Sequence, residues 1–134
     1  MNFFAYGTLM NPKVWENVVR NRYKYEKAFL KGFSRKYLKG EEYPGIITDK
    51  NSIIEGLLYY ELTHKDEKKL DLFEGEYYQR CNAEVLTMDD RVVSCYVYFL
   101  KPEHLNLLSD TNWTYNQFVK KGLETFMDKN SFPV

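Results

Sequence analysis

Two short segments of this 134-residue chain place reactive groups where a small ligand could meet them. At Tyr6-Gly7-Thr8-Leu9 the chain leaves an apolar run and turns, exposing successive backbone N–H groups that suit a carboxylate or an oxyanion. Gly7 permits close approach to the backbone, and Thr8 adds a hydroxyl. At Leu70-Asp71-Leu72-Phe73-Glu74-Gly75 a carboxylate lies beside aromatic bulk at the expected end of a helix. Desolvation and the negative end of the helix macrodipole both disfavour ionised Glu74, raising its pKa toward the range in which a general acid-base works. Taken singly, each segment also reads as ordinary structure: a strand turn, and a surface carboxylate at a frayed helix end.

Glu76, two residues on and followed by Tyr77, is the competing carboxylate. If the chain is already extended there, Glu74 and Glu76 share a face and their repulsion raises one pKa further. In Tyr78-Gln79-Arg80, Arg80 could pair with a substrate carboxylate or brace Glu74 or Glu76. Tyr43-Pro44-Gly45 reads as a turn.

Other chemistries find less support. Nineteen basic residues balance nineteen acidic ones, so no overall field draws in nucleic acid, and Arg20-Asn21-Arg22 with Lys24 and Lys27 reads as a solvated face. No Gly-x-x-x-x-Gly-Lys or Gly-x-Gly-x-x-Gly string offers a nucleotide site. His64 and His104 are isolated and no Cys-x-x-Cys occurs, so neither metal nor cofactor is expected. No apolar stretch nears the roughly 18 residues that span a bilayer, and no basic-then-apolar leader opens the chain; no membrane association and a cytoplasmic location are expected. A two-residue turn at Asp89-Asp90 would set Cys81 opposite Tyr98 and Cys95 opposite Glu84. That offset, about 10 Å along a strand, is too long for a disulfide, so both read as free thiols. Twelve tyrosines suit either the pleated faces of strands or a cleft with wet hydroxyls.

The elements that must position these groups follow from pattern. Asn2 to Tyr6 reads as a buried strand, and Asn11 with Pro12 opens a short helix whose Trp15, Val18 and Val19 share a face. Tyr23 to Tyr37 reads as a long strand bent or bulged at Gly32. Ile46-Ile47 is a short strand, Asp49 to Ser52 a turn, and Ile53 to Leu62 a further strand. Thr63 and Asp66 cap a helix that Gly75 ends. Tyr77 to Met88 and Arg91 to Leu100 form a hairpin. Lys101 to Asp110 reads as a loop or a poorly formed helix. Thr114 and Gln117 then cap a last helix with Tyr115, Phe118, Val119, Gly122 and Phe126 on its core face. About six strands and three helices in one domain, residues 1–134, predict an α+β fold: a small mixed, mostly antiparallel β-barrel with surrounding helices.

Five of these strings occur in an order that resembles the γ-glutamylcyclotransferase-like family: Tyr6-Gly7-Thr8-Leu9, Tyr43-Pro44, Glu55-Gly56, Leu70-Asp71-x-x-Glu74-Gly75 and Tyr78-x-Arg80. The resemblance runs from Phe4 to about Leu100 and implies the same barrel. It also implies an enzyme that converts a γ-glutamyl amine or amino acid to 5-oxoproline and a free amine, without cofactor. Glu74 would carry the protons. Tyr6, Gly7, Thr8 and Leu9 would bind substrate, with Tyr43 at the rim and Glu76, Tyr78 and Arg80 completing the site. The expected partner is therefore a small γ-glutamyl compound, with the leaving amine and the oligomeric state left open.

Overall fold

The computed structural model describes residues 1–133. The chain runs β1 (Phe3–Ala5), a 3-10 turn (Thr8–Met10), α1 (Pro12–Val18), β2 (Tyr25–Leu38), β3 (Pro44–Tyr59) and α2 (His64–Glu74). It continues through β4 (Tyr78–Thr87), β5 (Val92–Leu100), a 3-10 segment (Pro102–Leu107) and β6 (Leu108–Asn112). At the end, α3 (Tyr115–Gln117), a π-helical turn (Phe118–Gly122) and α4 (Leu123–Lys129) run end to end.

The strands pair in the order β3-β1-β5-β4-β2, and β2 pairs again with β3, so five of them close a barrel while β6 extends the sheet from β2. Only β1 with β5 is parallel; the other pairings are antiparallel. The expected mixed, mostly antiparallel barrel with helices outside is what forms.

Strand β1 is short but buried on both faces. Phe3 and Ala5 join one apolar cluster, Phe4 and Tyr6 the other, as the two-residue period of a strand requires. Around Phe3 the first cluster stacks aromatic on aromatic: Trp15 lies 3.8 Å from Tyr59, centroid to centroid and nearly parallel. The barrel closes tightly where β3 crosses β1, since a Cβ on Gly56 would stand 2.4 Å from the Ala5 carbonyl oxygen. Only glycine fits that crossing.

Local chemistry sets the helix ends. Asn11 accepts from the amides of Lys13 (3.0 Å) and Val14 (3.4 Å), with Pro12 in the first helical position. Thr63 Oγ1 accepts from the Asp66 amide at 3.2 Å, and Gly75, at φ 75°, ends α2 with its amide on the Asp71 carbonyl.

Four expectations are corrected. Asp49 to Ser52 is not a turn between two strands; it is an excursion within the single strand β3, opposite Gly32, with Asp49 folding back onto the Asn51 amide and Ser52 hydroxyl. Four residues, Met88 to Arg91, join β4 to β5 with Asp90 in a left-handed conformation at φ 63°, and the register sets Cys81 opposite Val97 and Cys95 opposite Ala83; both thiols are free. Lys101 to Asp110, expected as a loop or a poorly formed helix, holds the 3-10 segment and then the start of β6 (Leu108–Asn112), which pairs with β2. Val119 is 43% exposed: the wide π-helical turn carries it off the stripe that Phe118, Gly122 and Phe126 keep buried.

Candidate active site

The Tyr6 to Leu9 segment is a loop whose acceptors are all occupied. Arg35 Nη1 donates to the Tyr6 carbonyl at 2.7 Å, the Met10 amide to Gly7 and the Asn11 amide to Thr8 at 3.0 Å each, and the Tyr59 hydroxyl to Leu9 at 3.2 Å. None of these bonds uses the amide of Gly7, Thr8 or Leu9. A segment with its carbonyls consumed and its N–H groups spare is a cradle for an anion. Gly7 is needed here for space: a Cβ would stand 3.0 Å from Cγ and Cδ of Pro44.

This loop lines a cavity of about 180 Å³ with Tyr43, Pro44, Phe73, Glu74, Tyr78, Tyr98, Phe126 and Asn130. Among the described residues, Glu74 is the one charged side chain on its wall. Helix α2 delivers Glu74 from its last turn and β4 delivers Tyr78, whose hydroxyl donates to the Pro44 carbonyl at 2.8 Å. Tyr6 donates to the Tyr98 carbonyl at 2.6 Å, locking two lining tyrosines together. Rings of Tyr43, Phe73 and Phe126 pack edge to face at 6.1–6.4 Å along one side.

Burial pushes the Glu74 carboxyl up to about 8, with the Asp71 carboxylate adding to the effect and no hydrogen bond opposing it. The same burial raises the tyrosine hydroxyls: Tyr43 is pushed up to about 12, and Tyr6 and Tyr78 lie well above their ordinary value. These hydroxyls stay protonated and serve as donors.

Residues 3–115 match the family described as gamma-glutamyl cyclotransferase, AIG2-like. The chain belongs to this family. It is 33% identical over 89 residues to AIG2-like protein B of Arabidopsis thaliana, covering 66% of this chain and 52% of that protein. AIG2-like protein C of the same plant is 34% identical over 88 residues, covering 66% and 51%. The chain thus spans about half the length of the curated relatives it matches. A solution structure of an Arabidopsis thaliana protein superposes with a TM-score of 0.73 at 23% identity, covering 97% of this chain and 79% of the other. A crystal structure of a Mus musculus AIG2-like protein gives 0.63 at 22%, covering 84% and 87%. At such identities the likeness is one of fold.

Of the residues singled out from sequence, Tyr6, Gly7, Thr8, Leu9, Tyr43, Glu74 and Tyr78 come together around the cavity. Two do not. Glu76 lies beyond the helix end, is exposed and lines no part of it. Arg80 points its Nε at Asp71 Oδ1 (3.0 Å), approaches Glu67 Oε1 at 4.0 Å, and lies over the Tyr96 ring. It braces α2 from outside, through carboxylates other than the pair expected. The carboxylate that acts on Glu74 is Asp71, one turn earlier, instead of Glu76.

Sequence reasoning also missed Tyr98, Phe126, Asn130 and Arg35. Phe126 was legible only as a core position on a helical stripe, and nothing local says that this stripe closes a cavity. Asn130 Nδ2 donates to the Phe126 carbonyl at 2.9 Å, which fixes the helix end over the site.

Proposed function

We propose that this chain is a γ-glutamyl cyclotransferase that releases 5-oxoproline and a free amine by intramolecular aminolysis. The observation that carries the reading is the meeting of Glu74 with the spare amides of Gly7 to Leu9 in one small cavity. Membership of the family supports it.

The α-nitrogen of a γ-glutamyl group attacks its own γ-carbonyl carbon, the new C–N bond closes a five-membered lactam, and the old amide C–N bond breaks. Net proton movement is from the substrate ammonium to the leaving nitrogen. Proximity already favours such a ring closure, so the protein must chiefly fold the substrate and carry the proton. A bound ammonium offsets the burial of Glu74 and draws its carboxyl into the ionised form. The carboxylate then takes a proton from the attacking nitrogen and returns it to the departing one. The loop amides hold the glutamyl carboxylate or the developing oxyanion.

Incubation with a panel of γ-glutamyl amines, γ-glutamyl amino acids and glutathione, followed by mass spectrometry for 5-oxoproline, tests the reading. Release from at least one compound, lost in Glu74→Gln, is expected. Binding of 5-oxoproline with no release from any member would instead make the chain a binding module.

A further inference from the structure

Arg35 lies on β2 between Lys31 and Lys36, yet it turns inward and is half-buried. Its Nη1 donates to the carbonyls of Tyr6 (2.7 Å) and Glu55 (3.1 Å), its Nε to that of Trp113 (3.2 Å), and its guanidinium centre lies 5.0 Å from the Trp113 ring centroid. One side chain thus ties together the strand leading into the loop, β3, and the segment after β6. All three partners are neutral carbonyls. Arg35 forms no ion pair among the described residues, and Glu55, the carboxylate that acts on it electrostatically, pairs with Lys27 at 3.6 Å.

A trans peptide sets its C=O and N–H in opposite directions, and no peptide bond among the described residues is cis. With the Tyr6 carbonyl drawn toward Arg35, the Gly7 N–H of the same peptide is directed away from Arg35; Gly7 lines the cavity and Arg35 does not. A cation bonded to a carbonyl also withdraws electron density from the attached nitrogen, which makes its N–H the stronger donor. We infer that Arg35 is a positioning residue for anion binding: from behind the Tyr6-Gly7 peptide it fixes and polarises the amide donors of the cavity. A substrate anion therefore meets positive charge through a peptide, in a cavity wall that among the described residues carries no cation of its own. This rests on the proposed function, in which the loop receives an anion.

The test compares 5-oxoproline with its carboxamide, which keeps the ring and size but lacks the charge, by isothermal titration. Arg35→Gln is expected to weaken 5-oxoproline binding by about tenfold while the carboxamide changes by about twofold or less, because only the anion feels the lost cation. Equal weakening of both ligands makes Arg35 a structural residue alone and overturns the inference, as does unchanged binding of both. If Arg35→Gln does not fold, Arg35→Lys keeps the test open. Lys keeps the charge but not the three-way fork, so the shift of the Gly7 amide proton on adding 5-oxoproline is expected to shrink; an unchanged shift overturns the inference. A wild-type protein that binds neither 5-oxoproline nor glutamate removes the proposed function, and this inference with it. Tight wild-type binding with a normal Arg35→Gln removes the inference alone.

Discussion

Asp71 and Glu74 stand one helical turn apart on α2, and they divide the work of two carboxylates between them. Asp71 is held outside the cavity, accepting from the Tyr98 hydroxyl at 2.7 Å and from Arg80 Nε at 3.0 Å. Glu74 lines the cavity and carries the raised pKa of about 8, to which Asp71 contributes. Asp71, bonded to a hydroxyl and a guanidinium outside the cavity, is placed as a supporting group, and Glu74, raised by burial inside it, as the candidate proton carrier.

The pH profile of kcat/KM should reflect that division. Activity falls on the acid side as Glu74 of the free protein is protonated. Asp71→Asn removes a negative charge beside Glu74 and takes from Arg80 its 3.0 Å partner, and both changes favour ionised Glu74. The acid limb of the variant should therefore lie at lower pH than that of the wild type, with the same substrate used for both. A limb that stays in place would mean that Asp71 does not act on the proton carrier.

Glu74→Gln should cost about a hundredfold or more in turnover. It should also stabilise the fold. Folded Glu74 binds its proton up to about pH 8, whereas the unfolded residue releases it near its ordinary value of 4.5, so the stabilisation from the protonated form is full below about 4.5 and is lost as pH rises to about 8. Glutamine mimics the protonated form. Thermal unfolding at neutral pH should show the variant more stable by about 1–3 kcal/mol, and the advantage should vanish near pH 4.

Glu76→Gln should leave kcat/KM within about twofold of wild type, since an exposed carboxylate outside the cavity has no substrate to touch. If this variant abolishes 5-oxoproline release and Glu74→Gln is near normal, the roles are reversed.

Gly7→Val should weaken 5-oxoproline binding sharply. Even its first carbon would stand 3.0 Å from Pro44, so either the loop or the rim must move. Thr8→Ala should have a smaller effect, because it removes one hydroxyl and leaves the amides. Calorimetric titration of the two folded variants ranks them, and equal affinities in Gly7→Val and wild type would take the loop out of the site.

The sequence by itself determined those features whose cause is local. Asn11, Pro12, Thr63 and Gly75 set helix ends through bonds that span a few residues, and apolar and aromatic runs marked β1, β4 and β5. Glu74 was legible because Leu70-Asp71-x-x-Glu74-Gly75 matches the family's string, with a helix end and a neighbouring Phe73 acting on it through the chain itself. What only the tertiary structure decided involves partners far apart along the chain. Arg35 binds Tyr6 across 29 residues and Trp113 across 78, so its direction depends on how β2 closes the barrel against β3 and pairs with β6. Asp71 replaced Glu76 as the influential carboxylate because α2 continues its helical period through Glu74, which sets position i−3 beside it and sends Glu76 outward. The cavity wall of Tyr98, Phe126 and Asn130 exists only once β5 and the C-terminal helix meet over the loop, and no spacing in the sequence encodes that meeting.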